Sequence, residues 1–301
     1  MSRILLTGWF SFFHGEVTAG DELALRRVAE LLDRWGHPHD TAWSRGYRPD
    51  DLHLDEVSPQ RYRTLLFVCG PLHGPQVEEL HHRFSHCTRI AVGTSVIDPR
   101  SPAVTGFHHV LARSGGHGPP SVDLAASAAE RPPPPVAGVV LTHGQREYGA
   151  RRRHDEVTDG VRRWLGRRDI AHVPLDTRLA HDDPHHFRTP EQLLSVLARL
   201  DVVVTNRLHG LVLALRAGTP AVAVDPVRGG AKVTAQARAC RWPALVPADA
   251  VDDATLDHWW AWCLGEGRLR AAESRRRFLE APERRLTDPL LGLLEAGPGD
   301  G

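Results

Sequence analysis

The chain has almost no lysine. All but one of its 37 Lys+Arg residues are arginine, Lys232 being the exception, and methionine occurs once. GC-rich codons produce such a bias, turning lysine into arginine wherever a generic positive charge suffices. Lys232 is then either a chance survivor on the surface or a residue whose role needs a compact ammonium that a planar guanidinium cannot replace. Nor is there an excess of one charge: 37 basic residues face 37 acidic ones. Without a net positive field, binding of nucleic acid or of an anionic membrane surface is not expected. Cysteine is sparse too. Cys69, Cys87, Cys240 and Cys263 form no C-x-x-C pair, which excludes a zinc framework and a disulfide pattern and leaves buried, reduced thiols. No apolar run approaches the roughly 20 residues that span a bilayer. The opening "MSRILLTGWF" lacks the h-region and cleavage site of a signal peptide, so a cytoplasmic location is expected. His82 and His86 stand four apart, yet no H-E-x-x-H or third ligand accompanies them, and no metal is expected.

What is present is an alternation of strands and helices. At 301 residues, with 41% hydrophobic side chains, the chain is long enough for two domains. Residues 3–7, 64–70, 88–94 and 108–114 read as buried strands, with helices over 20–36 and from Pro75. The run from 115 to 137, with "SGGHGPP" and "ERPPPPVAG", breaks the rhythm, because proline removes backbone donors and forces extended chain. Strands then recur at 138–144, 169–175, 201–206 and 220–225, separated by helices at about 154–167, Pro190–Leu200 and Leu208–Ala217. The expectation is an α/β fold of two Rossmann-like parallel-sheet domains facing a cleft, spanning 1–125 and 138–301, with a Pro-rich linker at 126–137.

Local signals sharpen this. In "FRTPEQLL", Thr189 is a helix N-cap, Pro190 takes the first helical position and Gln192 completes a capping box. Leu256, Trp259, Trp260, Cys263 and Leu264 fall on one helical face and read as core. An arginine-rich helix and a Gly/Pro tail follow Arg268 and read as solvated.

The informative stretch is "DVVVTNRLHG", residues 201–210. Ligands of open parallel sheets bind beyond the carboxyl ends of the strands, where Asn206, Arg207, Leu208 and His209 stand. The following helix start offers unpaired N–H groups and a positive dipole end, Gly210 permits close backbone approach, and Arg207 brings a fork that matches phosphate or carboxylate. His209 transfers a proton near neutral pH. Arg and His two residues apart therefore suit an anionic substrate that is both held and protonated. The competing reading makes both of them structural residues bonded between domains.

This block resembles the polysaccharide pyruvyl transferase family, on "RLHGLVLALRAGTPAVAVD" (207–225), "AKVTAQA" around Lys232 and "FRTPEQLLSVLARLDVVVTN" (187–206). "TAGDELALRRVAELL" (18–32) and "VLARS" (110–114) are similar to further family segments. The resemblance implies a GT-B-like fold and transfer of a carboxyethylidene ketal from phosphoenolpyruvate to two hydroxyls of a sugar or glycan, with no cofactor beyond the donor. It makes Arg207 and Leu208 donor-binding residues, with Asn206 and Gly210 beside them, and His209 the general acid. Lys232 joins them at the same sheet edge. Where the family carries another arginine, this chain has Thr142 and His143, with Arg146 a few residues on; His143 either substitutes for that arginine or is an ordinary loop histidine.

In the first domain, the long loop "GWFSFFHGEVTAGDE" is expected to serve the acceptor. Trp9, Phe10, Phe12 and Phe13 are either a sugar platform or core filler. His14 and Glu16 are candidate bases for the incoming hydroxyl. Gly20 and Asp21 belong to the family-like helix start, where Asp21 and Glu22 suit the dipole, and Arg113 is a further candidate for anion binding. Two other functions compete: a nucleotide-sugar glycosyltransferase of the same fold, and a non-catalytic glycan-binding protein. Partners are thus a small donor and a sugar or glycan acceptor.

Overall fold

Consecutive residues of a single strand feed two separate cores. In β1 (Arg3–Thr7), Leu5 packs with Leu65, Phe67 and Val77, whereas Leu6 packs with Val68, Ala24 and Leu25. Side chains alternate between the faces of a strand, so the unbroken run Ile4-Leu5-Leu6 demands a sheet covered on both sides. A computed structural model describes residues 3–116, 118–143, 146–281 and 284–295 of the chain. The chain divides into two units, Met1–Arg131 and Pro132–Gly301.

In the first unit β1 is followed by α1 (Ala19–Arg34), β2 (His39–Thr41), β3 (Tyr62–Val68), α2 (Pro75–Arg83), β4 (Thr88–Ser95), α3 (Pro102–Thr105) and β5 (His109–Ser114). All strand pairs are parallel, in the order β2-β1-β3-β4-β5. Ala24, Leu25 and Val28 of α1 cover one face, and Val77 and Leu80 of α2 cover the other. Helix α1 starts on a reciprocal cap: Thr18 Oγ1 accepts from Asp21 N at 3.2 Å and Asp21 Oδ2 accepts from Thr18 N at 3.3 Å.

The second unit comprises β6 (Val136–Val140), α4 (His154–Gly166), β7 (Ala171–Pro174), α5 (Pro190–Leu197), β8 (Val202–Thr205), α6 (Leu208–Ala217), β9 (Ala221–Asp225), α7 (Lys232–Ala239), β10 (Leu245–Pro247), α8 (Asp253–Leu264), α9 (Glu266–Glu280) and α10 (Thr287–Glu295). Its parallel sheet runs β10-β9-β8-β6-β7, which repeats the first unit's order counted from its own first strand. Strand order therefore reverses between β1 and β3 in one unit and between β6 and β8 in the other. Such a reversal leaves a crevice beyond the strands' carboxyl ends, where doubly wound sheets take ligands.

Several expectations change. Strand β6 begins at Val136, inside the stretch 126–137 read as linker; Gly144, taken as the end of that strand, lies outside the described residues, as does the tail beyond Glu295. Gln192 Oε1 accepts from Arg188 N at 2.9 Å instead of reaching Thr189 N, so Thr189 caps α5 without reciprocation. Helix α2 stops at Arg83, which leaves His86 off the face that carries His82. Leu256 and Cys263 are buried, and Trp259 and Trp260 pack partly buried against the same core. Among the described residues no helix is long and apolar enough to cross a membrane, and no three His, Cys, Asp or Glu residues gather as metal ligands.

Candidate functional site

At the reversal in the second unit, buried polar groups fix the edge before any ligand is considered. Asn206 is 1% exposed. Its Oδ1 accepts from Thr142 N at 2.7 Å, and its Nδ2 donates to Thr142 O at 3.1 Å and to Thr158 Oγ1 at 3.4 Å. The sequence suggested a substrate contact there; instead the side chain spends its hydrogen bonds joining the end of β8 to the end of β6. Gly210 has a packing role of its own. A Cβ on it would stand 2.1 Å from Thr205 Oγ1, so the missing side chain lets α6 sit close on β8.

Arg207 is the N-cap residue of α6, with an extended backbone. Its Nη1 donates to Asp176 Oδ1 at 2.6 Å, from a half-buried position. Burial opposes ionisation of Asp176, but hydrogen bonds from the Arg178 backbone and side chain, together with the Arg207 charge, hold its carboxyl below the usual range. Arg207 is therefore not an open fork, and an incoming anion has to share or displace Asp176. Leu208 and His209 open the first turn of α6. His209 is exposed and, among the described residues, makes no hydrogen bond or ion pair, so its imidazole is free for a substrate.

Lys232 opens α7 at the same edge, where its Nζ lies 5.8 Å from the centroid of the Tyr148 ring. The loop before it is held by Asp225, whose carboxylate accepts from Val227 N (3.0 Å), Ala231 N (2.7 Å), Thr234 N (2.8 Å) and Thr234 Oγ1 (2.6 Å). A second brace joins this loop to the one after β6: Arg153 N donates to Pro226 O at 2.8 Å and Arg228 N to Arg151 O at 2.9 Å. Tyr148 stacks on His154 at a centroid distance of 6.4 Å. Burial and the Arg152 charge push the His154 pKa down, favouring the neutral ring. His143 is exposed, with Nδ1 3.6 Å from Asp155 Oδ1; the Arg146 side chain lies outside the described residues.

The first unit holds a cavity of about 490 Å³. It sits beyond β1 and β3, at that sheet's own reversal. Glu16, Gly20, Asp21 and Arg113 line it, as do Trp9, Cys69, His73 and Asp123. His14 does not; it is exposed with its ring edge-on to Phe13 at 4.7 Å. Phe10 and Phe12 are core, whereas Phe13 is 69% exposed. Arg113 is already ion-paired with Asp123 and donates to Ser95 Oγ at 3.0 Å. Cys69 has φ +63°, a left-handed backbone that non-glycine residues rarely adopt, and burial, with the neighbouring Asp21 carboxylate, pushes its thiol pKa up.

Sequence reasoning missed Asp176, Tyr148, His154, Asp225 and Asp123. Two of them carried a signal, because Asp176 directly follows the expected strand 169–175 and Asp225 ends another, the positions where sheet ligands meet protein.

A search of curated proteins found none that matches the chain. Similar solved structures include the spinosyn rhamnosyltransferase SpnG (12% identity, 98% of this chain and 100% of that one, TM-score 0.37) and a glycosyltransferase of kitacinnamycin (13%, 97% and 98%, 0.36). SnogD, a glycosyltransferase from Streptomyces nogalater, is a third (13%, 97% and 99%, 0.31). A family model does match, over the segment from α4 to the residue after β9, and that segment contains Asp176, Asn206, Arg207 and His209. Across residues 154–226 the chain carries the sequence pattern of the polysaccharide pyruvyl transferase family.

Proposed function

We propose that the protein transfers a pyruvyl group from phosphoenolpyruvate to two hydroxyls of a sugar, forming a carboxyethylidene ketal and releasing inorganic phosphate. The supporting observation is that the family match brackets an exposed His209, without a hydrogen-bond partner among the described residues, on the first turn of α6, two residues from Arg207. His209 gives its proton to the methylene carbon of the enol, which makes C2 electrophilic. The first sugar hydroxyl adds there, phosphate leaves, and the second hydroxyl closes the ketal. Of the two hydroxyl protons, one restores His209 and the other departs with phosphate. Arg207, Lys232 and the N–H groups at the start of α6 stabilise the negative charge of phosphate and carboxylate, so the proposal includes no metal.

The test mixes enzyme and phosphoenolpyruvate with β-galactoside, mannoside and glucosaminide acceptors and follows phosphate release and product mass. Release that depends on acceptor and is lost in Arg207→Ala supports the reading. Charge-assisted contacts are each worth about 1.5–3 kcal/mol, so that variant also weakens donor binding about tenfold or more. Binding and turnover of a nucleotide sugar, with none of phosphoenolpyruvate, would replace pyruvyl transfer by glycosyl transfer.

A further inference from the structure

The cavity of the first unit has a charge opposite to that which an anionic donor requires. Three carboxylates line it, those of Glu16, Asp21 and Asp123, against one guanidinium, and that guanidinium is consumed, because Arg113 is ion-paired with Asp123. Asp21 Oδ2 accepts from Thr18 N at 3.3 Å and from Thr18 Oγ1 at 2.8 Å, at the positive end of α1. Glu16 makes no hydrogen bond or ion pair among the described residues and remains available.

The cavity is more than a group of acids. It has the volume of a small-molecule site and occupies the strand-order reversal of its sheet. One wall is aromatic. Trp9 Nε1 donates to Pro71 O at 2.9 Å, and the indole lies 5.2 Å from the His73 ring at 33°. The backbone there is shaped for that indole, because Gly70 has φ +73° and a Cβ on it would stand 2.3 Å from Trp9 Cδ1. An indole beside unneutralised carboxylates suits a ligand with an apolar ring face and a positive charge, since indole is the best cation–π partner among side chains.

We propose that this cavity binds a saccharide bearing a free, protonated amine, with the ring against Trp9 and the ammonium between Glu16 and Asp21. The inference rests on the reading that the protein modifies a sugar, and it narrows the acceptor to amino sugars. The two units then sort substrates by sign, the anionic donor at Arg207 and Lys232 and the cationic acceptor at Glu16 and Asp21.

The experiment is calorimetric titration of the full chain, without phosphoenolpyruvate, with methyl glycosides of glucosamine, galactosamine and mannosamine, their N-acetyl forms and the neutral parent sugars. At least one free amine is expected to bind about tenfold or more tightly than its N-acetyl and neutral counterparts, the effect of one charge-assisted contact. Glu16→Gln should lose about that factor, whereas Glu16→Asp, which keeps the charge, should retain most of the affinity. Equal or tighter binding of N-acetyl or neutral sugars, an unchanged Glu16→Gln protein, or no binding of any amine overturns the inference. The donor is titrated separately. Phosphoenolpyruvate that binds while amines do not removes this inference alone, and the reverse outcome removes pyruvyl transfer alone.

Discussion

Arg207 Nη1 lies 2.6 Å from Asp176 Oδ1, so the guanidinium best placed to hold an anion already holds a carboxylate. Asp176 is itself shared, with Arg178 Nε at 2.8 Å from its Oδ2. A carboxylate at this point both aims the guanidinium and repels an incoming phosphate. At low ionic strength the repulsion is the larger effect, because each side chain of the pair is only 24% exposed, where charges are little screened, and Arg178 remains nearby. Asp176→Asn should therefore tighten binding of phosphoenolpyruvate by up to about tenfold, a gain that shrinks as salt is added. Titration of donor into both proteins at two salt concentrations decides it, and weaker binding would make Asp176 a positioning residue.

His209→Gln should leave the thermal midpoint unchanged, since the ring is exposed and has no partner among the described residues. Turnover should fall by about two to four powers of ten, as loss of a general acid does. A kcat close to that of the parent would take His209 out of the mechanism.

Lys232→Arg keeps the charge at the start of α7 yet changes its shape. Replacing a compact ammonium by a planar fork should lower turnover by about tenfold or more. Full activity in that variant would reduce Lys232 to a generic charge.

Gly210→Ala puts a methyl group where Thr205 Oγ1 stands 2.1 Å away. Thr205 is pinned, donating to Val140 O at 2.8 Å and accepting from Arg207 N at 3.0 Å, so it has little room to yield. The cost should be about 1–3 kcal/mol in urea unfolding. A variant as stable as the parent would mean that α6 rides freely on β8.

His154 gives a stability signal with a definite sign. Its folded pKa is lowered, first by burial and then by the Arg152 charge, with Lys232 adding to the effect and Asp155 and Asp225 opposing it. The unfolded chain takes up that proton near pH 6.5, where the folded protein still resists it. Stability from this group is thus complete above about pH 6.5 and declines as the pH falls toward the folded value. The difference in unfolding free energy between parent and His154→Gln should narrow between pH 7 and pH 5. A constant difference would show that His154 titrates alike in both states.

The layered fold was legible because buried parallel strands leave continuous apolar runs: Leu5 and Leu6, Leu65 to Val68 and Val202 to Val204 were all visible. The three-residue strands β2, His-Asp-Thr, and β10, Leu-Val-Pro, carry too short a pattern to be read. At the site, the edge position of Arg207 and His209 followed from local order alone. The partners did not, because Arg207 meets Asp176 across 31 residues and Asn206 meets Thr142 across 64. Asn206 and Gly210 look alike in sequence whether they serve a ligand or the scaffold. Only the acceptors around Asn206 and the space over Gly210 distinguish the two.

One carboxylate, that of Asp225, gathers four donors spread from Val227 to Thr234. A segment tied down in this way has surrendered its conformational entropy during folding, so a ligand that reaches Lys232 orders nothing further there. Association at that edge should then be a single bimolecular step, with an observed rate that stays linear in ligand concentration and does not level off at the rate of a loop closure.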